Sequence, residues 1–230
     1  MDKTSMLYWY PRLERLDIPM PKTWVVEIKG WEYYGYLDGK KPFPKIKEVE
    51  GLIKTLPFPL FMRSDYHSAK HSWRDTCYLA VPERFGQQLY NLVEMHALED
   101  IMGMPFNAVV FREFLPLRYS FKAFKGMPVA REFRFFCDKG KVLCYHPYWP
   151  PASIRNPDVM DWAARLEVLS AITEDEVKLL SAHIDQLKDA LPEHWSVDFA
   201  QHQNGSWYLT DMALAERSYH WPGCENGGVL

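Results

Sequence analysis

The fold is decided by the stretch WSVDFAQHQNGSWYLTDMALAE, which runs from Trp195 to Glu216. Two runs rich in apolar residues flank the turn QNGS, and Asn-Gly between such runs is a strong signal for a β-hairpin. Each predicted strand carries one acid, Asp198 in the first and Asp211 in the second, where a purely structural strand favours Val or Ile. The hairpin therefore raises the question of what these two carboxylates do.

Carboxylates on neighbouring strands point to a cation. Two close carboxylates repel each other unless one is protonated or a cation lies between them. Hard oxygen ligands suit Mg²⁺, which typically takes one or two carboxylates and completes its shell with water and substrate phosphates. The alternative interpretation is that Asp198 and Asp211 are two solvated acids at strand ends, and the hairpin alone leaves both open.

The rest of the chain predicts an α+β fold with antiparallel sheets. Strands and helices interleave, but hairpins outnumber βαβ units. Thr173 and Glu176 form a capping box at the start of one predicted helix, and Gly103 ends another. The predicted strands cover 23–28, 59–64, 107–115 and a hairpin around 138–141, and the predicted helices cover 46–56, 82–103 and 173–191.

Length and composition narrow the class of protein. The chain has 230 residues and a net charge of −3, which suits one large or two small domains and gives no general attraction to nucleic acid. Its four cysteines are irregularly spaced, which argues against a disulfide scaffold or a zinc ribbon. The sequence shows no secretory signal and no apolar run of the ~18 residues that a membrane span needs. We therefore expect a cytoplasmic protein with reduced thiols.

A second group of candidate residues lies in FMRSDYHSAKHSW, residues 61–73. Arg63 falls on a predicted strand and Lys70 in the loop after it, among several serines. Cations and hydroxyls where a strand passes into a loop suit phosphate oxygens; the alternative is a surface loop with ordinary charges. His67 and His71 have the spacing of a helical metal site, but the flanking serines argue against a helix there.

A third group is a basic, aromatic stretch from Arg112 to Lys141. It holds eight basic and three acidic residues, a local excess of five positive charges that indicates an anionic ligand, either a triphosphate or nucleic acid. Its aromatic residues suit either stacking on bases or anchoring a lid. Within it, Glu132 and Arg134 share one face of a predicted strand. The aromatic residues in question are Tyr119, Phe121 and Phe124.

These groups, in this order, resemble the ATP-grasp superfamily. The resemblance spans most of residues 10–220 and is nearest to the divergent small ATP-grasp proteins of phages and bacteria; the eukaryotic cell-division-cycle assembly chaperone for translation initiation factor two is a more distant likeness. It implies two α+β lobes that hold a nucleotide between them. The segments that carry it are LDIPMPKTWVV, LFMRSDYHSAKHSW, VVFREFL, EFRFF and VDFAQHQNGSWYLTDMA.

The resemblance also implies a division of the chain and a role for each candidate. It divides the chain into an N-terminal segment (1–56), a small nucleotide-grasping lobe (57–110), and a hinge with a C-terminal lobe that carries the metal-binding hairpin (111–230). The implied roles are phosphate contacts for Arg63 and Lys70; adenine contacts for Arg112, Glu113, Phe114 and Leu115; ribose contacts for Glu132; the terminal phosphate for Arg134; and Mg²⁺ for Asp198, Asp211 and Glu216.

Two positions depart from the family pattern. Many relatives have Asn two positions after the second acid, and this chain has Ala213 there. One metal ligand is therefore missing unless Glu216 or water replaces it. Asp211 also stands where Glu is common, which shortens the reach of the carboxylate and favours one ion over two.

The resemblance implies an ATP- and Mg²⁺-dependent ligase that forms an acyl phosphate and joins a carboxylate to an amine or a thiol. Its substrates would be small molecules, peptides or proteins. Arg134 and Lys70 would offset the charge of the transferring phosphoryl group, and no side-chain nucleophile is needed. A non-catalytic ATP-binding assembly factor or sensor is the alternative. A nucleic-acid-binding module is the third hypothesis, and the net negative charge and the paired acids argue against it.

Overall fold

The structure, a computed structural model, describes residues 2–29, 32–100, 105–222 and 224. The predicted helix end at Gly103 lies outside these residues. The helices are α1 (Met6–Leu13), α2 (Tyr34–Leu37), α3 (Ile46–Ile53), α4 (Phe85–Asp100), α5 (Trp162–Leu169) and α6 (Glu174–Asp185). The strands are β1 (Thr23–Glu27), β2 (Leu60–Ser64), β3 (Tyr78–Leu79), β4 (Ala108–Glu113), β5 (Tyr119–Ala123), β6 (Met127–Ala130), β7 (Glu132–Asp138), β8 (Lys141–Pro147), β9 (His194–Gln201) and β10 (Trp207–Leu214).

Contacts divide the chain into two compact units. The first contains residues 1–21, 115–123 and 128–230, and the second contains residues 22–114 and 124–127. These units cut the chain at other places than the predicted boundaries after residues 56 and 110, and the three-part division stays a prediction. The antiparallel sheets and the mixture of helices and strands confirm the predicted α+β class.

The second unit is built on a four-stranded antiparallel sheet in the order β1-β4-β2-β3. Successive strand residues point to opposite faces, so one face carries a continuous set of apolar side chains. That face packs on α3 and α4 to form the core of the unit. Its buried members include Val26, Leu60, Met62, Val109 and Phe111 from the strands, and Val49, Ile53, Leu89, Leu92 and Val93 from the helices.

The first unit is built on a second antiparallel sheet, in the order β10-β9-β7-β8. One face is apolar because Phe133 lies opposite Phe199, and Phe135 lies opposite Val197. Helix α6 covers this face, with the His183 ring stacked 6.3 Å from the Phe199 ring between centroids. The capping box of α6 forms as predicted between Thr173 and Glu176. The other face of this sheet is polar.

Several elements were not predicted from the sequence, namely helices α1 and α5 and the β5-β6 pair. Helix α1 contains Pro11, which is uncommon inside a helix and hides the periodic signal. Strand β5 alternates only weakly, with exposed Tyr119 and buried Phe121. Among the described residues, no helix combines the length and the apolar character that crossing a lipid bilayer requires.

Candidate functional site

The polar face of the first unit's sheet carries a row of four facing residues, one from each strand. Asp211 on β10 is the register partner of Asp198 on β9, which in turn faces Arg134 on β7. Arg134 also faces His146 on β8. Directly opposed residues of antiparallel strands project from the same face, so all four side chains lie side by side. We call Asp211, Asp198, Arg134 and His146 the polar row.

A β-bulge brings the two acids together. Up to Leu209, β10 pairs with β9 in one register, and a shift between Leu209 and Asp211 leaves Thr210 as the extra residue. Without this shift, Thr210 would face Asp198 and the carboxylate of Asp211 would turn to the other side of the sheet. The Thr210 hydroxyl donates to the backbone carbonyl of Asp198 at 3.2 Å. The bulge therefore explains how both acids reach one face.

Arg134 and Asp198 form a bidentate ion pair. Arg134 Nε donates to Asp198 Oδ1 at 2.7 Å and Nη2 donates to Oδ2 at 2.8 Å. The Asp198 side chain is 4% exposed and that of Arg134 is 15% exposed. Burial alone lowers the pKa of a guanidinium, but the charge and hydrogen bonds of Asp198 outweigh it and raise the pKa of Arg134. The pair is therefore a fixed, charged centre of the polar row.

Other groups hold the Arg134 guanidinium in place. Its carbon lies 4.8 Å from the centroid of the Tyr148 ring, a cation–π contact. Nη1 donates to the backbone carbonyl of Tyr219 at 3.2 Å. His146 is buried, and burial lowers its pKa to about 4, so its imidazole is neutral near pH 7. Arg134 is thus held by a carboxylate, an aromatic ring and a carbonyl.

The donor set at Asp198 and Asp211 fits Mg²⁺. Both are carboxylates on the same sheet face, and a carboxylate offers about four lone-pair sites. Asp198 accepts two hydrogen bonds from Arg134, and Asp211 Oδ1 accepts one from the Met212 backbone N–H at 3.0 Å. These bonds leave each carboxylate the capacity to bind a cation as well. Glu216, the third predicted ligand, is exposed on a short 3₁₀ turn at Ala215–Arg217 that follows β10.

Two further candidates lie on the polar face. Glu132 precedes Arg134 by two residues and shares its side of β7, as predicted, and it is 9% exposed. Ala213 stands where the family pattern has Asn, and its register partner is the buried Ser196. The Ser196 hydroxyl donates to the Ala213 carbonyl at 3.3 Å and also pairs with the Ser218 hydroxyl. Ser196 therefore places a hydroxyl beside the acids where Ala213 supplies none.

In the second unit, Arg63 and Arg112 lie on one face of the sheet. Arg63 on β2 faces Val110 on β4, and Arg112 is two residues further along β4. Both arginines are buried, on the face opposite to the apolar core. Arg63 Nε donates to the Ser64 carbonyl at 3.0 Å, and Arg112 Nε donates to the Thr23 hydroxyl at 3.1 Å. This face therefore presents two guanidinium groups, as anion binding requires.

The remaining predicted residues lie near these arginines in sequence. Lys70 begins a 3₁₀ turn after Ala69, which adopts a left-handed conformation at φ 49°. Glu113 ends β4, and its backbone N–H donates to the Lys22 carbonyl at 2.9 Å. The ring of Phe114 lies 5.1 Å from that of Tyr78 between centroids. Leu115, the fourth predicted adenine contact, belongs to the first unit.

The structure changes the interpretation of the basic, aromatic stretch. Arg131 pairs with Glu176 at 2.6 Å, Lys125 pairs with Asp75 at 2.8 Å, and Arg134 pairs with Asp198. Much of the local excess of positive charge is therefore neutralised by acids from elsewhere in the chain. Phe121 and Phe124 are buried, so these two rings do not offer faces to bases. Both findings argue against nucleic-acid binding by this stretch.

Sequence reasoning missed His146, Ser196 and Tyr148. The alternation that placed Glu132 and Arg134 on one face also places Ser196 with Asp198, a signal that was available in the hairpin. His146 and Tyr148 could not be placed because the register of β8 on β7 changes between Phe136 and Cys137.

Comparison with known proteins agrees with this architecture. The model of an ATP-grasp domain family, the third family of its clade, matches residues 51–218. No curated protein matches the chain.

Solved structures show the same fold at low sequence identity. A C-terminally truncated Cdc123 from Schizosaccharomyces pombe is 15% identical, with 92% of this chain and 83% of that chain covered and a TM-score of 0.59. Another Cdc123 structure from the same yeast is 16% identical with the same coverage and a TM-score of 0.51. A RimK domain ATP-grasp protein from Sphaerobacter thermophilus is 11% identical, with 92% and 59% covered and a TM-score of 0.48.

At these identities the structural likeness concerns the fold alone, and it rests on the two Cdc123 structures. The family model is independent of them, covers most of the chain and includes the arginines of the second unit and the whole polar row. Membership of this family implies the use of ATP. The chain belongs to the ATP-grasp superfamily, in the ATP-grasp domain family whose model it matches.

Proposed function

We propose that the protein is an ATP- and Mg²⁺-dependent ligase that joins a carboxylate to an amine, or to a thiol, through an acyl phosphate. The observation that carries this proposal is the polar row, in which Asp211, Asp198 and Arg134 lie side by side on one sheet face of an ATP-grasp chain. Two hard carboxylates beside a fixed guanidinium suit a metal-bound triphosphate.

The proposed ATP contacts follow the roles that the family pattern implies. In the second unit, Arg63 and Lys70 would contact the phosphates, and the chain at 112–115 would lie against adenine. In the first unit, Glu132 would accept hydrogen bonds from the ribose hydroxyls. The buried position of Arg63 and Arg112 supports these assignments, because a buried cation facing away from the core favours an anionic ligand.

Asp198 and Asp211, with Glu216 or water, would hold Mg²⁺. When bound, Mg²⁺ neutralises the charge of the phosphates and orients them. Arg134 has five N–H groups and donates three of them to Asp198 and Tyr219, which leaves it the capacity to bind the terminal phosphate. Asp198 would thus have two tasks, since it both accepts from Arg134 and binds the metal.

The reaction would take place in two balanced steps. A carboxylate oxygen of the substrate attacks the γ-phosphorus, the bond to the bridging oxygen of ADP breaks, and an acyl phosphate forms. The amine or thiol then attacks the acyl carbon, phosphate leaves, and the proton of the nucleophile passes to solvent. Arg134 and Lys70 would offset the charge on the phosphoryl oxygens, so the protein contributes position and electrostatics.

The acceptor class stays a proposal. We propose an amino acid, a peptide or a protein as carboxylate or amine substrate, and a cytoplasmic location. No pattern in the sequence selects among these substrates.

The test is acceptor-dependent release of ADP. We would incubate the protein with ATP, Mg²⁺ and panels of amino acids and peptides, and measure ADP and phosphate. In Asp211→Asn we expect ADP release to fall at least tenfold. The control is Asp138→Asn, which removes an exposed acid from the end of β7 and should leave the rate unchanged. Equal rates in Asp211→Asn and the wild type would refute the metal assignment.

A non-catalytic ATP-binding assembly factor or sensor is the alternative. Ala213 favours it, because a metal ligand common in the family is absent there. The bidentate bond between Arg134 and Asp198 favours it too, since both groups are already engaged with each other. This alternative predicts ATP binding that depends on Asp211, with no ADP formed with any acceptor.

A further inference from the structure

Two cysteines and one histidine converge beside the polar row. Cys144 lies on β8, two residues before His146, and it is fully buried. His220 and Cys224 come from the segment that follows β10. The Sγ atom of Cys144 lies 3.1 Å from His220 Nε2, and one ligand atom from each of the three residues lies within 4.8 Å of the other two. Within the described residues, no other three His, Cys, Asp or Glu side chains meet this criterion.

The three donors suit a soft divalent ion. Zn²⁺ binds Cys sulfur at about 2.3 Å and His nitrogen at about 2.0–2.1 Å in a tetrahedron, which puts neighbouring donors about 3.5 Å apart. The observed spacing is close to this, so small side-chain movements suffice. Two Cys ligands and one His leave the fourth position for water. We propose that Cys144, His220 and Cys224 form a binding site for Zn²⁺ or a similar thiophilic ion, separate from the magnesium site.

The surroundings distinguish this cluster from ordinary buried cysteines. Cys77 and Cys137 are also fully buried, but Cys77 donates to the Trp73 carbonyl and, among the described residues, neither belongs to a cluster of metal-binding groups. Cys224, in contrast, is half-buried and reaches β8, where its thiol donates to the Tyr145 carbonyl at 3.3 Å. The cluster is therefore reachable from solvent.

The ion would fasten the C-terminal segment to the polar face. This segment crosses the sheet, and three of its residues contact three strands. Ser218 pairs with Ser196 on β9, Tyr219 accepts from Arg134 on β7, and the ring of Trp221 stacks on that of His146 on β8 at 5.3 Å. Binding of an ion by His220 and Cys224 would hold these contacts together. The site would therefore position the carbonyl that holds Arg134.

Cobalt is the probe for this site. The reduced, metal-free protein is titrated with Co²⁺ in the presence of excess Mg²⁺, which keeps the carboxylates occupied. We expect one Co²⁺ per chain with the intense visible absorption of a tetrahedral thiolate complex, and displacement by Zn²⁺. Cys224→Ala should abolish this absorption, and His220→Asn should weaken it. Cys137→Ala is the matched control, since it removes a buried thiol of the same sheet and should leave the spectrum unchanged.

Thermal unfolding gives a second readout. Zn²⁺ at about a hundredfold excess over its Kd should raise the Tm of the wild type by roughly 5–10 °C, and should not raise that of Cys224→Ala. The proposal is overturned if the folded wild type gives no thiolate absorption, or if Cys224→Ala keeps it. Recovery of Cys144 and Cys224 as a disulfide, with no ion bound, in protein purified without reductant would also overturn it.

Discussion

Arg134 on β7 donates two parallel hydrogen bonds to the carboxylate of Asp198 on β9, at 2.7 and 2.8 Å. This bond divides the work between the two acids of the hairpin. The charge of Asp198 is compensated inside the protein, and its side chain is almost fully buried. Asp211 lies beside it and is half-buried, so it is the acid more accessible to a ligand. The two acids should therefore respond differently to mutation.

Asp198→Asn should destabilise the fold by about 3–5 kcal/mol, because removing one partner of a buried ion pair leaves the other charge uncompensated. Asp211→Asn removes a half-buried acid from the same row and should change the free energy of unfolding by less than about 1 kcal/mol. Urea unfolding measures both. Equal losses in the two variants would show that the bidentate pair has no special role in stability.

A second ion pair should make stability depend on acid pH. Arg131 donates to both carboxylate oxygens of Glu176, at 2.6 and 2.8 Å, and these hydrogen bonds lower the pKa of Glu176 to about 2. A carboxyl whose pKa is depressed on folding stabilises the protein above its unfolded pKa, and that contribution is lost as pH falls through the folded pKa. We expect a loss of about 3 kcal/mol between about pH 4.5 and pH 2.

Glu176→Gln should remove this part of the pH dependence. Glu174→Gln is the matched control, because Glu174 is exposed in the first turn of the same helix. Urea unfolding at several pH values should give a flatter curve for Glu176→Gln and an unchanged one for Glu174→Gln. A wild-type slope that survives in Glu176→Gln would place the titrating group elsewhere.

Arg63→Met should weaken ATP binding by roughly 10- to 100-fold, because a charge-assisted hydrogen bond contributes about 1.5–3 kcal/mol. The methionine retains the apolar part of the side chain and removes the cation. Arg84→Met, at an exposed position before α4, is the control for loss of charge. The Kd from a fluorescent ATP analogue decides the outcome. An affinity in Arg63→Met equal to that of Arg84→Met would exclude phosphate contact by Arg63.

The local patterns predicted more of this molecule than of its site. The hairpin of Asp198 and Asp211, the strand of Arg63 and the capped helix α6 follow from alternation, turn chemistry and caps, which act over a few residues. The bulge at Thr210 was not predictable, because a single unpaired residue leaves the apolar alternation of a strand almost unchanged. The site therefore needed the register of four strands.

Long-range placement explains the other omissions. The cysteine spacing argued against a zinc ribbon, yet Cys144 and Cys224 meet because the segment after β10 returns across the sheet. Likewise, the basic excess between Arg112 and Lys141 looked like an anion-binding surface. Its partners Glu176 and Asp75 are far away in sequence, so only the folded chain shows that part of the charge is already neutralised.

The most direct test of the central claim is calorimetry of ATP binding with Mg²⁺, comparing the wild type with Asp211→Asn and with wild type in EDTA. We predict one ATP per chain for the wild type, and an affinity at least tenfold lower both in Asp211→Asn and after removal of the metal. The account is contradicted if folded wild type binds no ATP, or if Asp211→Asn binds it as tightly in the presence of Mg²⁺.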